Sequence, residues 1–296
     1  MLLRFRLTAV LLAAVVAGLT SQAIAADGYG DLTGRIVFDG DVPKLLPKVK
    51  KNAPAAKLPA CCAVKDTVND SLVINPKNKG VQHVFVYLKK VSKSAIHPEL
   101  VKSKNPEVVF DQKECVFKPH AMVVRTDQTV VVKSDDNVPH NTRTNPIFNA
   151  GVNFVVTPND RVGVKMPKFV SKEPLPMSVE CSIHPWMQAK WLVVDHPYAT
   201  VTDADGRFTI PKLPAGDYTF AIWHERVGYL DKSAKISGKK LVEAGGEDVA
   251  AGNALIAAGD VITEAMTVTI KPGGEVDRGD IKAPAVLFEI KAEEIE

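Results

Sequence analysis

The chain has 296 residues, a formal net charge of +3, 24% charged residues and 46% hydrophobic ones. That length accommodates about two domains of ordinary size. The near balance of charge, with no long basic stripe, speaks against nucleic acid or an anionic membrane surface as a principal partner.

The first segment, "MLLRFRLTAVLLAAVVAGLTSQAIAADGYG", opens with Arg4 and Arg6 and continues into an apolar run. Thr20, Ser21 and Gln22 interrupt that run too early for a membrane span. Ala23-Ile24-Ala25 has the small-x-small pattern of a cleavage site, which predicts a signal peptide over 1–25, cut after Ala25. The expected product is soluble, either periplasmic or secreted, with no membrane span after cleavage. Residues 26–79 read as a β-rich N-terminal extension. The lysines of "PKLLPKVKK" (43–51), like those near residue 100, read as solvated loop faces. Four cysteines in an exported chain ask for pairing. Cys61 and Cys62 are neighbours, and neighbours rarely bridge each other. The expectation is one disulfide from Cys61 or Cys62 to Cys115, with Cys181 left out. No C-x-x-C-H is present for a c-type haem.

Helical periodicity is scarce, and short alternating runs broken by Gly, Pro, Asn and Asp predict an all-β protein. Strands are expected in "LTGRIVF" (32–38), "HVFVYLKK" (83–90), "AMVVRT" (121–126) and "TVVVKS" (129–134). Further ones are expected in "RVGVKM" (161–166), "LPMSVEC" (175–181) and "KWLVVD" (190–195). Residues 80–197 are taken as one β-sandwich domain. His140 follows the strand at 129–134 and stands between Pro139 and Asn141. "CSIHPWM" (181–187) sets a thiol at a strand end, an imidazole three residues on and a thioether three further, with Pro185 stiffening the loop. Two histidines, one cysteine and a weak axial methionine make an electron-transfer copper site. Zinc would favour more thiolates or imidazoles. A cysteine hydrolase draws its histidine from far along the chain, whereas His184 is close to Cys181. His120 reads as a surface or outer-sphere histidine, His196 and His224 as structural, and His83 and His97 carry no motif.

A boundary is expected at "DHPYA" (195–199), followed by a second, smaller β-sandwich over 198–296. Asp205-Gly206 predicts a tight hairpin, 246–266 a weak helix or loose loop, and the tail from Lys271 one or two more strands. "WHER" (223–226) is not an H-x-x-E zinc pair, so no enzyme is expected there.

Residues 117–195 resemble a cupredoxin, the blue-copper fold of plastocyanin, pseudoazurin and amicyanin. The resemblance is carried by Phe117-Lys118-Pro119, "AMVVR", "TVVVKSDD", Pro139-His140-Asn141 and the amicyanin-like C-x2-H-x2-M of Cys181, His184 and Met187. Gln128 stands where the family usually has glycine. The resemblance implies a Greek-key β-sandwich holding one type 1 copper ion through His140, Cys181, His184 and Met187. It implies that Asn141 clamps the two ligand loops and hydrogen-bonds the thiolate. It also implies that His184 reaches the surface between Pro185 and Trp186, where a redox partner docks. The wider chain is similar to exported bacterial proteins labelled methylamine-utilisation or plastocyanin-like, which join a cupredoxin to a transthyretin-like, carboxypeptidase-regulatory-like sandwich. The function implied is electron transfer between redox partners. The other reading is a non-enzymatic module that binds carbohydrate or protein and keeps a vestigial or storage copper site.

Overall fold

Three short runs, "FVYL" (85–88), "WLVV" (191–194) and "FAIW" (220–223), contain no charged residue. Strands of that kind need cover on both faces, and the fold supplies it by stacking sheets. The computed structural model describes residues 28–53, 62, 64–230, 266–288 and 290–295. The leader 1–25, Cys61 and most of 246–266 lie outside the described residues.

In chain order the strands are β1 (Tyr29–Asp39), β2 (Phe85–Leu88), β3 (Glu107–Lys113), β4 (Val116–Lys118), β5 (Ala121–Arg125) and β6 (Thr129–Ser134). They continue with β7 (His140–Asn145), β8 (Asn153–Val156), β9 (Val164–Lys165), β10 (Met177–Glu180), β11 (Gln188–Val194) and β12 (Ala199–Val201). The last are β13 (Arg207–Pro214), β14 (Gly216–His224), β15 (Gly228–Tyr229), β16 (Met266–Ile270) and β17 (Glu275–Pro284). Apart from a helical residue at Cys62, helix among the described residues is limited to short 3₁₀ turns, so the all-β expectation holds.

The strands form four sheets, ordered β4-β3-β6-β9, β5-β11-β10-β7-β8, β12-β2-β14-β15 with β16 on β14, and β13-β1-β17. The first two enclose a core that includes Phe110, Val132, Val124, Val179, Trp191 and Val193. The last two enclose another, with Leu32, Ile36, Val86, Ile210, Phe220 and Ile222. A third cluster of Phe85, Tyr87, Ala121, Leu192, Val194, Ala221 and Trp223 joins the two sandwiches. The period of two is legible along each central strand: Trp191 and Val193 of β11 face one core while Leu192 and Val194 face the junction.

Two domain expectations change. β1 lies in the second sandwich, where it pairs with β13 and β17, rather than in a separate N-terminal extension. β2 pairs with β12 and β14, so it too belongs to the second sandwich and not to the domain expected over 80–197. The first sandwich is therefore an insertion within the strand order of its neighbour. The turn at Asp205-Gly206 forms, with Gly206 at φ +75 and its N–H donating to Asp203 O at 3.0 Å. It is not a hairpin, however, because β12 and β13 on either side of it enter different sheets. β7 escaped the sequence pattern because it reads "HNTRTN". Its inward side chains are polar, and Thr142 takes a 2.9 Å hydrogen bond from buried Gln112.

His120 is not at the surface. It is buried at the junction, with Nδ1 3.1 Å from Asp70 and Nε2 2.5 Å from Glu225. It ties the segment before β2, the start of β5 and the end of β14 together. Burial works against charge on this ring, but hydrogen bonds and charges from Asp70 and Glu225 outweigh it and raise His120 to about 9. Burial and the His120 charge together push neighbouring His83 down to about 4. The folded value of His120 lies above the ordinary 6.5, so its stabilisation is complete below about pH 6.5 and is lost as pH rises towards about 9. The loss is on the order of 3 kcal/mol. The melting temperature is therefore expected to fall between these pH values, and His120→Gln to lower it at pH 6 while flattening that fall. Equal declines in the two proteins would remove the clamp from the account.

Candidate metal centre

The hairpin β10–β11 closes on the pair Glu180 and Gln188, and the loop 181–187 spans it. Two hydrogen bonds tighten this loop: Cys181 N–H to Met187 O at 3.1 Å and Met187 N–H to His184 O at 2.9 Å. Antiparallel pairing of β10 with β7 sets Glu180 against Arg143, so the end of β10 lies beside the start of β7. His140 is the first residue of β7. Asn141 then clasps the loop, its Oδ1 accepting from Ser182 N–H at 2.6 Å and its Nδ2 donating to Asn153 at 2.8 Å. The bond from Asn141 to the Cys181 sulfur comes from its backbone N–H rather than from its amide.

His140 Nδ1 and His184 Nδ1 face each other at 2.9 Å, and Cys181 Sγ is 4.0 Å from His184 Nδ1. One donor atom from each of the three lies within 4.8 Å of the others. All three are buried, and Met187 is buried in the same core cluster as Cys181. Burial opposes charge on Cys181, but hydrogen bonds from the His140 and His184 side chains and from the Asn141 and His184 N–H groups pull the thiol down to about 6. A thiolate-prone sulfur and two converging imidazole nitrogens can hold one soft or borderline cation. The expected residues His140, Cys181 and His184 thus come together.

The other nitrogen of each histidine is also engaged. His140 Nε2 donates to the Asp136 carboxylate at 2.8 Å, which leaves Nδ1 as the free lone pair. Burial would penalise the Asp136 charge, but His140 and the backbone N–H groups of Cys115 and Glu114 hold its carboxyl below the usual range. Those two N–H groups donate at 2.9 and 2.6 Å. Burial likewise opposes protonation of His140, and Asp136 and Cys181 overcome it and raise its pKa. Asp136 was missed in the sequence reading. Its signal is an acid four residues before the histidine, in "SDDNVPH".

His184 departs from expectation. It is 1% exposed, not a surface residue. Cys62 and Cys115 form a disulfide, and Cys62 Sγ sits 3.5 Å from His184 Nε2. Trp186 folds over the same ring, 5.1 Å between centroids, and donates its indole N–H to Cys115 O at 3.0 Å. The chain before β2 thus lies over the nitrogen that was expected to face solvent. Ser182, Ile183 and Pro185 are the exposed residues of the loop.

The site is thus a buried His-His-Cys cluster held between the start of one strand and a hairpin loop of a β-sandwich. No protein-family model and no curated protein sequence matches the chain. Solved structures similar to it include a purple cupredoxin from Nitrosopumilus maritimus, 17% identical over 30% of this chain and 100% of that one, with a TM-score of 0.24. Amicyanin from Paracoccus versutus is 14% identical over 37% of this chain and 97% of that one, with a TM-score of 0.25. A copper-containing nitrite reductase (NirK) from Thermus scotoductus SA-01 is 18% identical over 30% of this chain and 22% of that one, with a TM-score of 0.24. At such scores the overlaps decide nothing about function, and the side chains must.

Carboxylates that orient a metal-bound imidazole are worth about 10–100-fold in affinity. Asp136→Asn is therefore expected to weaken Cu(II) binding by about that factor, read by competition with a chromophoric chelator, while the circular dichroism stays that of a β protein. Unchanged affinity would reduce Asp136 to a loop-bracing residue.

Proposed function

We propose that the protein is an exported, non-enzymatic electron carrier that holds one type 1 copper ion on His140, Cys181, His184 and Met187. The observation that carries this reading is the convergence of two Nδ1 atoms, 2.9 Å apart, and the Cys181 sulfur on one buried point. Two imidazoles, a thiolate and a thioether are a donor set that favours copper over zinc. When bound, copper supplies a one-electron couple. The protein's own part is to hold the donors still. The β7–β10 pairing fixes the distance between His140 and Cys181. Asp136 fixes the tautomer of His140, and Asn141 keeps the two loops from separating.

A redox partner would dock over the ligand loop. With His184 covered, its contact would fall on Ser182, Ile183 and Pro185 and on the neighbouring Trp186, a small patch of the kind weak redox encounters use. The intact, buried donor set favours this reading over a binding module with a vestigial site.

Mature protein loaded with Cu(II) is expected to show an intense visible band from charge transfer out of the Cys181 sulfur. Cys181→Ser is expected to abolish the band and leave the β fold. A colourless wild type after reconstitution would overturn the proposal.

Met187, as a weak axial donor, tunes the metal more than it holds it. Met187→Leu is expected to raise the reduction potential by removing a donor, and Met187→Gln to lower it by offering an amide oxygen, both with copper retained. Voltammetry showing equal potentials in all three proteins would make Met187 a core residue only.

A further inference from the structure

Behind His184, on the side away from Cys181, lies a second set of soft donors. Cys62 Sγ, Cys115 Sγ and a His184 ring nitrogen lie within 4.8 Å of one another, and all three residues are buried. The nearest approach is the 3.5 Å from Cys62 Sγ to His184 Nε2. As a disulfide the two sulfurs are poor ligands, whereas as thiolates they would be strong ones for Cu(I) or zinc. We propose that Cys62, Cys115 and His184 form a second metal site for a soft cation, available only when the disulfide is reduced.

Cys62 lines an open cavity whose walls include Lys65, Asp70, His83, Glu114 and His120. The reductant is a dithiol of the thioredoxin class. Its thiolate attacks the Cys62 sulfur, the S–S bond breaks and Cys115 leaves as a thiolate that takes up a proton. The second thiol of the reductant then resolves the mixed disulfide. Two electrons pass to the pair, the reductant becomes a disulfide, and two cysteine thiols remain. An incoming cation displaces both thiol protons to water.

His184 links the two sites. Its Nδ1 faces His140 and Cys181, and its Nε2 faces Cys62. A neutral imidazole has one free lone pair, so the ring serves one cation at a time. Reduction therefore withdraws a ligand from the first site as it builds the second. The second site rests on the positions of Cys62, Cys115 and His184 and not on copper binding at the first site, where Cys62 and Cys115 take no part.

The test uses Cys181→Ser, in which the first cluster has lost its sulfur. The mature variant is prepared in its disulfide form and, anaerobically, after treatment with a phosphine reductant and desalting. Both are titrated with Cu(I) against bicinchoninate. The reduced form is expected to bind one equivalent more than the disulfide form, with two sulfur neighbours in the copper X-ray absorption. Adding Cys62→Ser is expected to remove that equivalent. Equal stoichiometry in the two forms, retention of the equivalent without Cys62, or loss of the β-sheet circular dichroism on reduction would each overturn the proposal. The visible band of the oxidised wild type tests the first site separately.

Discussion

The pairing of β7 with β10 admits one register, and the candidate site depends on it. On β10, Met177 and Val179 enter the core, while Ser178 and Glu180 alternate with them on the more open face. On β7, Thr142 and Thr144 point inward and Arg143 and Asn145 outward. A slip of β10 by one residue would drive Ser178 and Glu180 into the core and turn Met177 and Val179 to water, which a sheet with one buried face does not tolerate. The ion pair between Arg143 and Glu180, at 2.5 Å, lies outside and marks the correct register. With that register set, Cys181 follows β10 directly beside His140 and Asn141. The donor cluster is a consequence of strand pairing before it is a consequence of any hydrogen bond within it.

The surroundings of the cluster are unequal on its two sides. On the His140 side a carboxylate holds the ring, and the same carboxylate receives two N–H groups from the turn that contains Cys115. On the His184 side a disulfide and an indole close over the ring. Cys115 belongs to both arrangements, since its N–H reaches Asp136 and its sulfur bonds to Cys62. The two histidines are thus held from one turn, by charge on one side and by cover on the other. An outer layer of this kind orients ligands and limits solvent, the two levers a protein has over a bound metal.

The second sandwich supports the first through an apolar junction and a buried charge. Phe85, Trp223 and Leu192 close the junction, and at its margin His120 bridges Asp70 and Glu225. Removing one partner from such a buried set leaves a charge without compensation, a costly state. The junction also explains the strand order. Because β2 is a central strand of the second sandwich, that sandwich is complete only when the chain returns from the inserted one with β12 and β14.

Much was legible from local pattern. The alternation in "TVVVKS" and "MSVE" marks strands with one buried face, and C-x2-H-x2-M after a strand marks soft ligands on one loop. These are short-range features, which depend on residues close in sequence. β7 was not legible as a strand, because its buried side chains are threonines satisfied by partners such as Gln112 that are remote in the chain. The membership of β1 and β2 was also hidden, since an apolar run states that it needs cover and not which sheet provides it. The burial of His184 beneath Cys62 and the charge on His120 come from residues brought together across long separations, whereas Asp136 stands four residues before His140 and only the fold shows that it holds the ring. Sequence determined the class of the fold and which side chains have the chemistry. Tertiary structure decided which nitrogen faces which partner and which ligand is covered, because those depend on packing between distant segments and leave no period in the chain.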